Sequence, residues 1–173
     1  MEHSDAELVE AACRGDLGSF RKLYERHYRM TIAIARSRLS DRHLAEDAAQ
    51  EAFATACRQL SLLRDGRRFP EWLGTICRRT AGRMARSRRR HSPIDVATVA
   101  TRQNPDGGDA DVRVQKALEQ LPAAGREVIL LHYFSGLSYE EISQALGITP
   151  QSVRGRLQRA RGALKQRLAQ AAE

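Results

Sequence analysis

Residues Ser135–Leu164 read SGLSYEEISQALGITPQSVRGRLQRARGAL, and this stretch decides the fold. Ser138 and Glu141 have the spacing of a capping box, which predicts the start of a helix. Gly147 follows an apolar residue, at a place where a residue that tolerates positive φ ends a helix at low cost. Pro150 suits the first turn of the next helix, where its missing N–H leaves no hydrogen bond unmade. Two short helices joined by a tight glycine turn predict a helix-turn-helix.

The second helix of this motif is strongly basic. Between Pro150 and Leu168 the chain has six Lys or Arg residues and no Asp or Glu. A solvated face is the ordinary interpretation of a charged helix, but such a face usually mixes both signs. In a helix-turn-helix the second helix enters the major groove of DNA, and its N-terminal residues contact base edges. We therefore predict DNA binding by seven residues of this helix: Gln151, Ser152, Arg154, Arg156, Gln158, Arg159 and Arg161.

The positive charge of the chain lies in two separate blocks. The chain has 173 residues and a net charge of +8. Residues 61–90 contain ten basic and two acidic residues, and residues 113–173 contain nine and five. Residues 91–112, between them, contain one basic and four acidic residues. Two basic modules joined by an acidic tether suggest two contacts along one polyanion.

Composition and periodicity indicate small helical domains. Aromatic residues make up only 5% of the chain, which favours small helical units over a large sheet-based core. Apolar residues that recur every three or four positions predict six further helices, at about 4–15, 16–39, 42–60, 69–90, 112–121 and 123–134. We therefore predict an all-α fold with two small, separately packed helical domains, 1–90 and 113–173. The Pro- and Gly-containing segment 91–112 is predicted to be a flexible linker.

Cysteine and histidine usage argues against metal sites and disulfides. Cys13, Cys57 and Cys77 are far apart, and no C-x-x-C pair occurs. We predict free thiols that pack as small hydrophobic side chains in a reducing cytoplasm. The five histidines lack metal-ligand spacing, so we expect neither a metal nor a cofactor. The chain has no recognisable signal peptide and no apolar run of ~20 residues, which predicts a cytoplasmic protein without membrane insertion.

The helix predicted at 42–60 has a polar face rich in carboxylates. Glu46, Asp47, Gln50 and Glu51 cluster there. A solvated acidic surface explains this face, although paired carboxylates could also serve in acid–base catalysis. Nothing nearby resembles a nucleophile, a phosphate-binding loop or a metal partner. We therefore do not expect an enzyme.

The helix predicted at 69–90 has an apolar side and a dense basic side. Arginine pairs well with phosphate and stacks on exposed bases, so this basic side predicts a second nucleic-acid surface. Trp72 lies on the apolar side. We interpret it as a core anchor and not as a platform for base stacking.

Four segments, in this order, resemble the sigma factors of bacterial RNA polymerase, and specifically their extracytoplasmic-function group. They are GDLGSFRKLYERHYR from Gly15, LAEDAAQEAF from Leu44, FPEWLGTICRRTAGRMARSRRR from Phe69, and LPAAGREVILLHYFSGLSYEEISQALGI from Leu121. The first resembles the start of conserved region 2, and the second resembles the family's helix that binds core polymerase. The third resembles its −10 segment and the fourth its region 4, which reads the −35 element. The resemblance covers nearly the whole chain.

The resemblance implies a dissociable polymerase subunit that directs promoter recognition and transcription initiation. It implies that Asp47, Gln50 and Glu51 dock on a coiled coil of the largest polymerase subunits. The basic second helix of the helix-turn-helix would contact the −35 element of double-stranded promoter DNA. An anti-sigma factor remains open as a further partner. Seven arginines would contact the −10 element, in part as a single strand: Arg64, Arg67, Arg68, Arg78, Arg79, Arg83 and Arg86.

The chain departs from the family pattern at three places. Ser143 stands where the family usually has Ala, and Gly155 stands where it often has Ser. The loop at 64–68 matches no fixed family pattern, so the −10 sequence cannot be inferred. A stand-alone helix-turn-helix regulator is the alternative function. It would leave the acidic face and the first basic module without a role.

Overall fold

The computed structural model describes residues 3–91 and 109–170, and the regular structure in these two ranges is entirely helical. The all-α prediction is therefore confirmed for the described residues. The α-helices are α1 (Asp5–Cys13), α2 (Leu17–Arg36), α3 (Arg42–Gln59), α4 (Phe69–His91), α5 (Asp109–Glu119), α6 (Ala123–Ile129), α7 (Tyr139–Leu146) and α8 (Pro150–Gln170). A π-helical turn, Leu130–Phe134, extends α6, and two 3-10 turns, Leu60–Leu62 and Gly66–Arg68, lie between α3 and α4.

Polar caps fix where the helices start. Ser4 and Ser138 each form a complete capping box, at the start of α1 and α7. Asp16 accepts a hydrogen bond from the backbone N–H of Gly18, and Asp41 accepts one from Leu44. These side chains satisfy backbone donors that have no partner within the helix. The predicted starts of α1, α2, α3 and α7 are therefore confirmed.

Two helix boundaries differ from the predicted ones. The second helix was expected to run to residue 39, but α2 ends at Arg36, and the Ser37 hydroxyl donates to the carbonyl of Ile34 at 2.6 Å. Leu39 is buried all the same. The fifth helix begins at Asp109, three residues earlier than expected. Acidic residues stabilise a helix N-terminus through its dipole, so the Asp residues that led us to assign linker also suit a first turn.

The first half of the chain forms a four-helix unit. Leu23, Ile34, Phe53, Phe69 and Leu73 are buried between α2, α3 and α4, and α1 packs across α2. Trp72 is partly buried against this cluster, and its ring centroid lies 6.2 Å from that of Phe69. It is therefore part of the core, as predicted.

The second half has only a small core of its own. Leu121, Val128, Ile129, Leu157 and Ala160 form it, between α6 and α8. Other buried residues of this half pack into the cluster of the first half: Leu130, Leu131, Ile142, Ala145 and Val153.

The predicted all-α fold of two small helical domains is confirmed, and apolar residues of the second domain also pack on the first. One buried cluster runs across both halves, because α7 places its apolar face against α4 and the π-helical turn packs on α2. The predicted linker lies mainly at 92–108, outside the described residues.

All three cysteines are free thiols, as predicted, but the prediction that each packs as a small hydrophobic side chain holds for one and is wrong for two. Cys77 is buried, its thiol lies 3.4 Å from the carbonyl oxygen of Thr31, and burial raises its pKa to about 12. Cys13 and Cys57 are exposed, because they lie on sides of α1 and α3 that face away from the core.

Candidate functional site: charged surfaces on α3, α4 and α8

The first three turns of α8 form an exposed polar and basic surface. Thr149 caps the helix by accepting a hydrogen bond from the backbone N–H of Ser152 at 3.2 Å. Val153 and Leu157 point inward and are buried. Six of the seven predicted DNA-binding residues are exposed and Arg156 is half-buried; the exposed ones are Gln151, Ser152, Arg154, Gln158, Arg159 and Arg161.

The turn before α8 sets the direction of that helix. Gly147 adopts φ 64° and ψ 36°, the left-handed conformation that favours glycine. The Ser143 hydroxyl donates to the carbonyl of Ile148, and the Ile148 N–H donates back to the Ser143 carbonyl at 3.2 Å. The serine that replaces the family's usual alanine therefore adds a hydrogen bond across the turn. An added Cβ at Gly155 would meet only Arg159, at 3.6 Å, so a small side chain fits there.

The outer side of α4 is basic and accessible. Arg79, Arg83 and Arg86 are exposed along it. Arg88 lies 3.4 Å from a carboxylate oxygen of Asp41, the cap of α3. Three exposed guanidinium groups on one helix side make a surface suited to phosphate.

The loop arginines before α4 are held by neighbouring carboxylates. Arg67 pairs with Asp65 at 3.0 Å, and Arg68 forms a forked pair with Glu71, at 2.7 Å. Hydrogen bonds from Arg67 hold the pKa of Asp65 below its ordinary value. Arg64 is exposed. Exposed ion pairs contribute little to stability, so these arginines can exchange a carboxylate for a phosphate at low cost.

Arg78 differs from the other arginines of α4. Its side chain is only 20% exposed, and its Nε donates to Glu127 of α6 at 2.7 Å. Its Nη2 also donates to the carbonyl of Ala145 in α7 at 3.1 Å. In this structure Arg78 faces the second half of the chain, and the other predicted −10 arginines on α4 face outward.

The acidic face of α3 is separate from the core. Asp47 and Gln50 are exposed and Glu51 is half-exposed, whereas Ala48 and Phe53 point inward. Glu51 forms an ion pair with Arg83 of α4. The acidic face of α3 and the basic side of α4 therefore meet at this ion pair. A protein partner with a basic surface on α3 can lie beside a negatively charged nucleic acid on α4.

The described residues form neither a metal site nor a membrane-spanning helix. Within residues 3–91 and 109–170, no group of three or more His, Cys, Asp or Glu side chains could hold a metal ion. None of the helices in the described part of the chain is long and apolar enough to cross a membrane.

Sequence reasoning missed the partners of Arg78. Glu127 is 4% exposed, and Arg38 of the α2–α3 connection lies 3.9 Å from its second carboxylate oxygen. Arg126 was also missed, and its guanidinium donates to the carbonyls of Leu118 and Ser37. The local sequence signal for these contacts was the pair Arg126-Glu127, which directly precedes the apolar run that starts at Val128.

Two family models match the chain. The model of sigma-70 region 2 matches residues 23–91, and the model of sigma-70 region 4 matches residues 111–164. The first range covers the acidic face of α3 and the basic side of α4. The second covers α7 and most of α8.

Individual proteins are similar over almost the full length. The RNA polymerase sigma-H factor of Pseudomonas aeruginosa is 30% identical, over 96% of this chain and 95% of its own. The ECF RNA polymerase sigma factor SigM of Mycobacterium tuberculosis is 31% identical, over 94% of this chain and 84% of its own. The solved structure of the sigma factor RpoE with the anti-sigma factor NepR, from Bartonella quintana, has a TM-score of 0.65 and 27% identity, over 88% of this chain and 98% of that chain.

The chain belongs to the sigma-70 family of RNA polymerase sigma factors, in its extracytoplasmic-function group. It binds RNA polymerase core and directs promoter recognition and transcription initiation through −10 and −35 elements. This confirms the function that the sequence predicted and does not support the stand-alone regulator.

Proposed function

We propose that three separate surfaces of this sigma factor divide its work. The acidic face of α3 docks on polymerase core, α4 with its preceding loop contacts the −10 element, and the start of α8 reads the −35 element. The observation that carries the proposal is the difference in sign between these three surfaces: one face of α3 presents acidic side chains, and α4 and α8 present arginines. A protein that binds another protein and DNA at the same time needs surfaces of opposite charge for the two partners.

The polymerase contact rests on Asp47, Gln50 and Glu51. Asp47 and Gln50 are exposed on α3, whereas Phe53 is buried, so both polar side chains are available to a partner without unfolding. Charge complementarity at such a surface speeds association and fixes orientation. The partner surface on the largest polymerase subunits should therefore be basic where it meets α3.

The −10 contact rests on Arg79, Arg83 and Arg86 of α4, with Arg78 and the loop arginines beside them. The guanidinium groups of Arg67 and Arg68 are paired with carboxylates in the free chain, and a DNA phosphate or an unstacked base would replace these partners. Residues 1–90 would then be the unit that contacts core polymerase and the −10 element. Residues 113–173 would be the unit that contacts the −35 element, and residues 91–112 would link the two. We further propose that the chain has no catalytic activity, that it works in the cytoplasm beside polymerase, and that an anti-sigma factor regulates it.

The experiment that tests the polymerase contact is a charge reversal. Asp47→Lys combined with Glu51→Lys should abolish binding to purified core polymerase, measured by fluorescence anisotropy, while the helix content stays unchanged. The matched control is Glu10→Lys with Glu25→Lys, which makes the same charge change at exposed positions of α1 and α2. If the Asp47→Lys, Glu51→Lys variant binds core polymerase with wild-type affinity, the proposed contact is wrong.

A further inference from the structure

Gly66 lies in the loop before α4 and makes a very close contact with α1. A Cβ added at this glycine would lie 2.7 Å from the Cα of Ala6 and 3.2 Å from the Cβ of Val9. Carbon atoms attract each other at separations of about 3.5–4.0 Å and repel when they are much nearer, so any larger residue would push the loop away from α1. Gly66 is not one of the described glycines with positive φ, so space, and not backbone conformation, requires glycine at this position.

Hydrogen bonds within the loop carry this contact to Arg67. The backbone N–H of Arg67 donates to a carboxylate oxygen of Asp65 at 3.1 Å, and the backbone N–H of Arg68 donates to the Asp65 carbonyl at 3.0 Å. The guanidinium of Arg67 donates to both carboxylate oxygens of Asp65, at 3.0 and 3.1 Å. The two residues that flank Gly66 therefore hold each other, and the position of the Arg67 side chain depends on the position of the glycine.

The helix α1 is itself firmly attached to its neighbours. Val9 is buried, and Asp5 accepts a hydrogen bond from Arg26 at 2.6 Å. The second carboxylate oxygen of Asp5 lies 2.8 Å from Nε2 of His27. The ring centroid of His27 is 5.4 Å from that of Phe69, the first residue of α4. The loop is therefore bounded by two fixed elements, α1 against its centre and α4 at its end.

A fixed loop matters more for sequence discrimination than for attraction to DNA. The side chain of Arg67 is 82% exposed, and Arg64 is exposed as well. Coulomb attraction to phosphate decreases only gradually with distance, so it tolerates a displaced loop. A hydrogen bond to a base edge requires a donor–acceptor distance of about 2.7–3.2 Å and a favourable angle, so it does not tolerate one. A loop that is held in place before DNA arrives also loses less conformational entropy on binding.

We propose that α1 is a platform that positions the loop 60–68 through Gly66, and that this contact determines how strictly the chain discriminates between −10 sequences. Gly66 and α1 act through the loop arginines, without touching DNA themselves. The contact follows from the geometry, whereas its effect on discrimination rests on the proposed function of the loop arginines at the −10 element.

Amide hydrogen exchange, followed by NMR in the free chain, tests the platform. Gly66→Ala adds the Cβ that overlaps Ala6, so the amides of Arg67 and Arg68 should exchange faster than in the wild type, by about tenfold or more. Gly162→Ala is the matched control, because a Cβ added there meets no described atom within 4 Å, and it should leave both exchange rates unchanged. Wild-type exchange at these two amides in Gly66→Ala would overturn the proposal.

A second variant perturbs the contact from the side of α1. Asp5→Asn removes the charge that ties α1 to Arg26 and His27, and it adds no atom near Gly66. It should therefore speed exchange at the same two amides, while circular dichroism shows unchanged helix content. If exchange in this variant stays at the wild-type rate, the loop keeps its position independently of how α1 is held, and the platform is wrong.

Transcription by reconstituted holoenzyme from a library of −10 sequences measures discrimination. Gly66→Ala should lower the ratio of output between the preferred −10 sequence and its single-base variants, by about fivefold or more. Gly162→Ala should keep the wild-type ratio. A chain that is merely less stable lowers the output from all promoters alike and leaves this ratio unchanged.

Arg64→Ala combined with Arg67→Ala separates the platform from the proposed −10 role. If this double variant lowers the ratio and Gly66→Ala does not, the loop arginines read the −10 element and the platform is wrong. If exchange is faster in Gly66→Ala but both variants keep the wild-type ratio, the proposed −10 role of the loop fails, and the effect of the platform on discrimination fails with it.

Discussion

The division of roles along α8 gives the sharpest prediction about promoter reading. Arg154 and Arg161 are both exposed and are seven residues apart, so they lie on nearly the same side of the helix. At 1.5 Å per residue they are about 10 Å apart along the axis. The major groove is about 12 Å wide, so a helix that places Arg154 at base edges carries Arg161 to the groove margin, beside phosphate.

The two substitutions to alanine should therefore differ in kind. A bidentate base contact supplies about 1–3 kcal/mol of discrimination, so Arg154→Ala should relax preference at one or two −35 positions by roughly 5- to 150-fold. Arg161→Ala should weaken all sequences alike and reduce the salt slope by about one unit. Between 50 and 200 mM salt, one unit corresponds to a roughly fourfold smaller loss of affinity.

The assay is a −35 promoter library transcribed by reconstituted holoenzyme, together with a salt titration of promoter binding. Lys165→Ala is the matched control, because Lys165 is exposed about 6 Å further along the axis and should leave sequence preference unchanged. The reasoning is refuted if Arg154→Ala weakens every promoter equally while Arg161→Ala changes sequence preference.

Three further predictions concern stability and reactivity. Burial alone would raise the pKa of Asp5, but hydrogen bonds from His27 and Arg26 outweigh burial and lower that pKa below 3.8. The ionised carboxylate therefore stabilises the fold above pH 3.8, and this stability is lost as the pH falls further. Asp5→Asn should therefore lower stability by about 1.5–3 kcal/mol near pH 7, with a difference in melting temperature that narrows below pH 4; a constant difference would contradict this. Gly155→Ala should raise stability by up to about 1 kcal/mol in thermal melts. It should reduce −35-dependent transcription if the glycine serves to let the helix backbone approach DNA closely, and unchanged transcription would show that this close approach is not needed. A thiol reagent at pH 8 should label two cysteines quickly in the folded chain and all three after unfolding, because only Cys77 is buried; three fast thiols in the folded chain would be inconsistent with that burial.

The parts of the fold that the sequence predicted are those with local signals. The capping box at Ser138 and the turn at Gly147 each act within a few residues, so the helix-turn-helix could be placed in advance. The recurrence of apolar residues every three or four positions likewise predicted which side of α2, α3 and α4 is buried. The charged residues of α3 and α8 also recur within a few positions, so the sequence predicted the exposed faces of these two helices.

The contact between the halves has no local signal. Arg78 meets Glu127 across 49 positions of sequence and the Ala145 carbonyl across 67. The dense arginine pattern of α4 predicted DNA contacts for Arg78 as for its neighbours, and only the three-dimensional arrangement singles it out. The exposure of Cys13 and Cys57 was missed because cysteine type alone does not determine which side of a helix faces the core.

Transcription with purified components tests the central claim most directly. Core polymerase alone, core with the chain, and core with the Asp47→Lys, Glu51→Lys variant are supplied with genomic DNA fragments, and transcript starts are mapped. The account predicts a set of starts that appears only with the wild-type chain and shares −35 and −10 sequences at fixed spacing. If the chain adds no starts and binds promoter DNA equally well without polymerase, it acts as a stand-alone regulator and the account is contradicted.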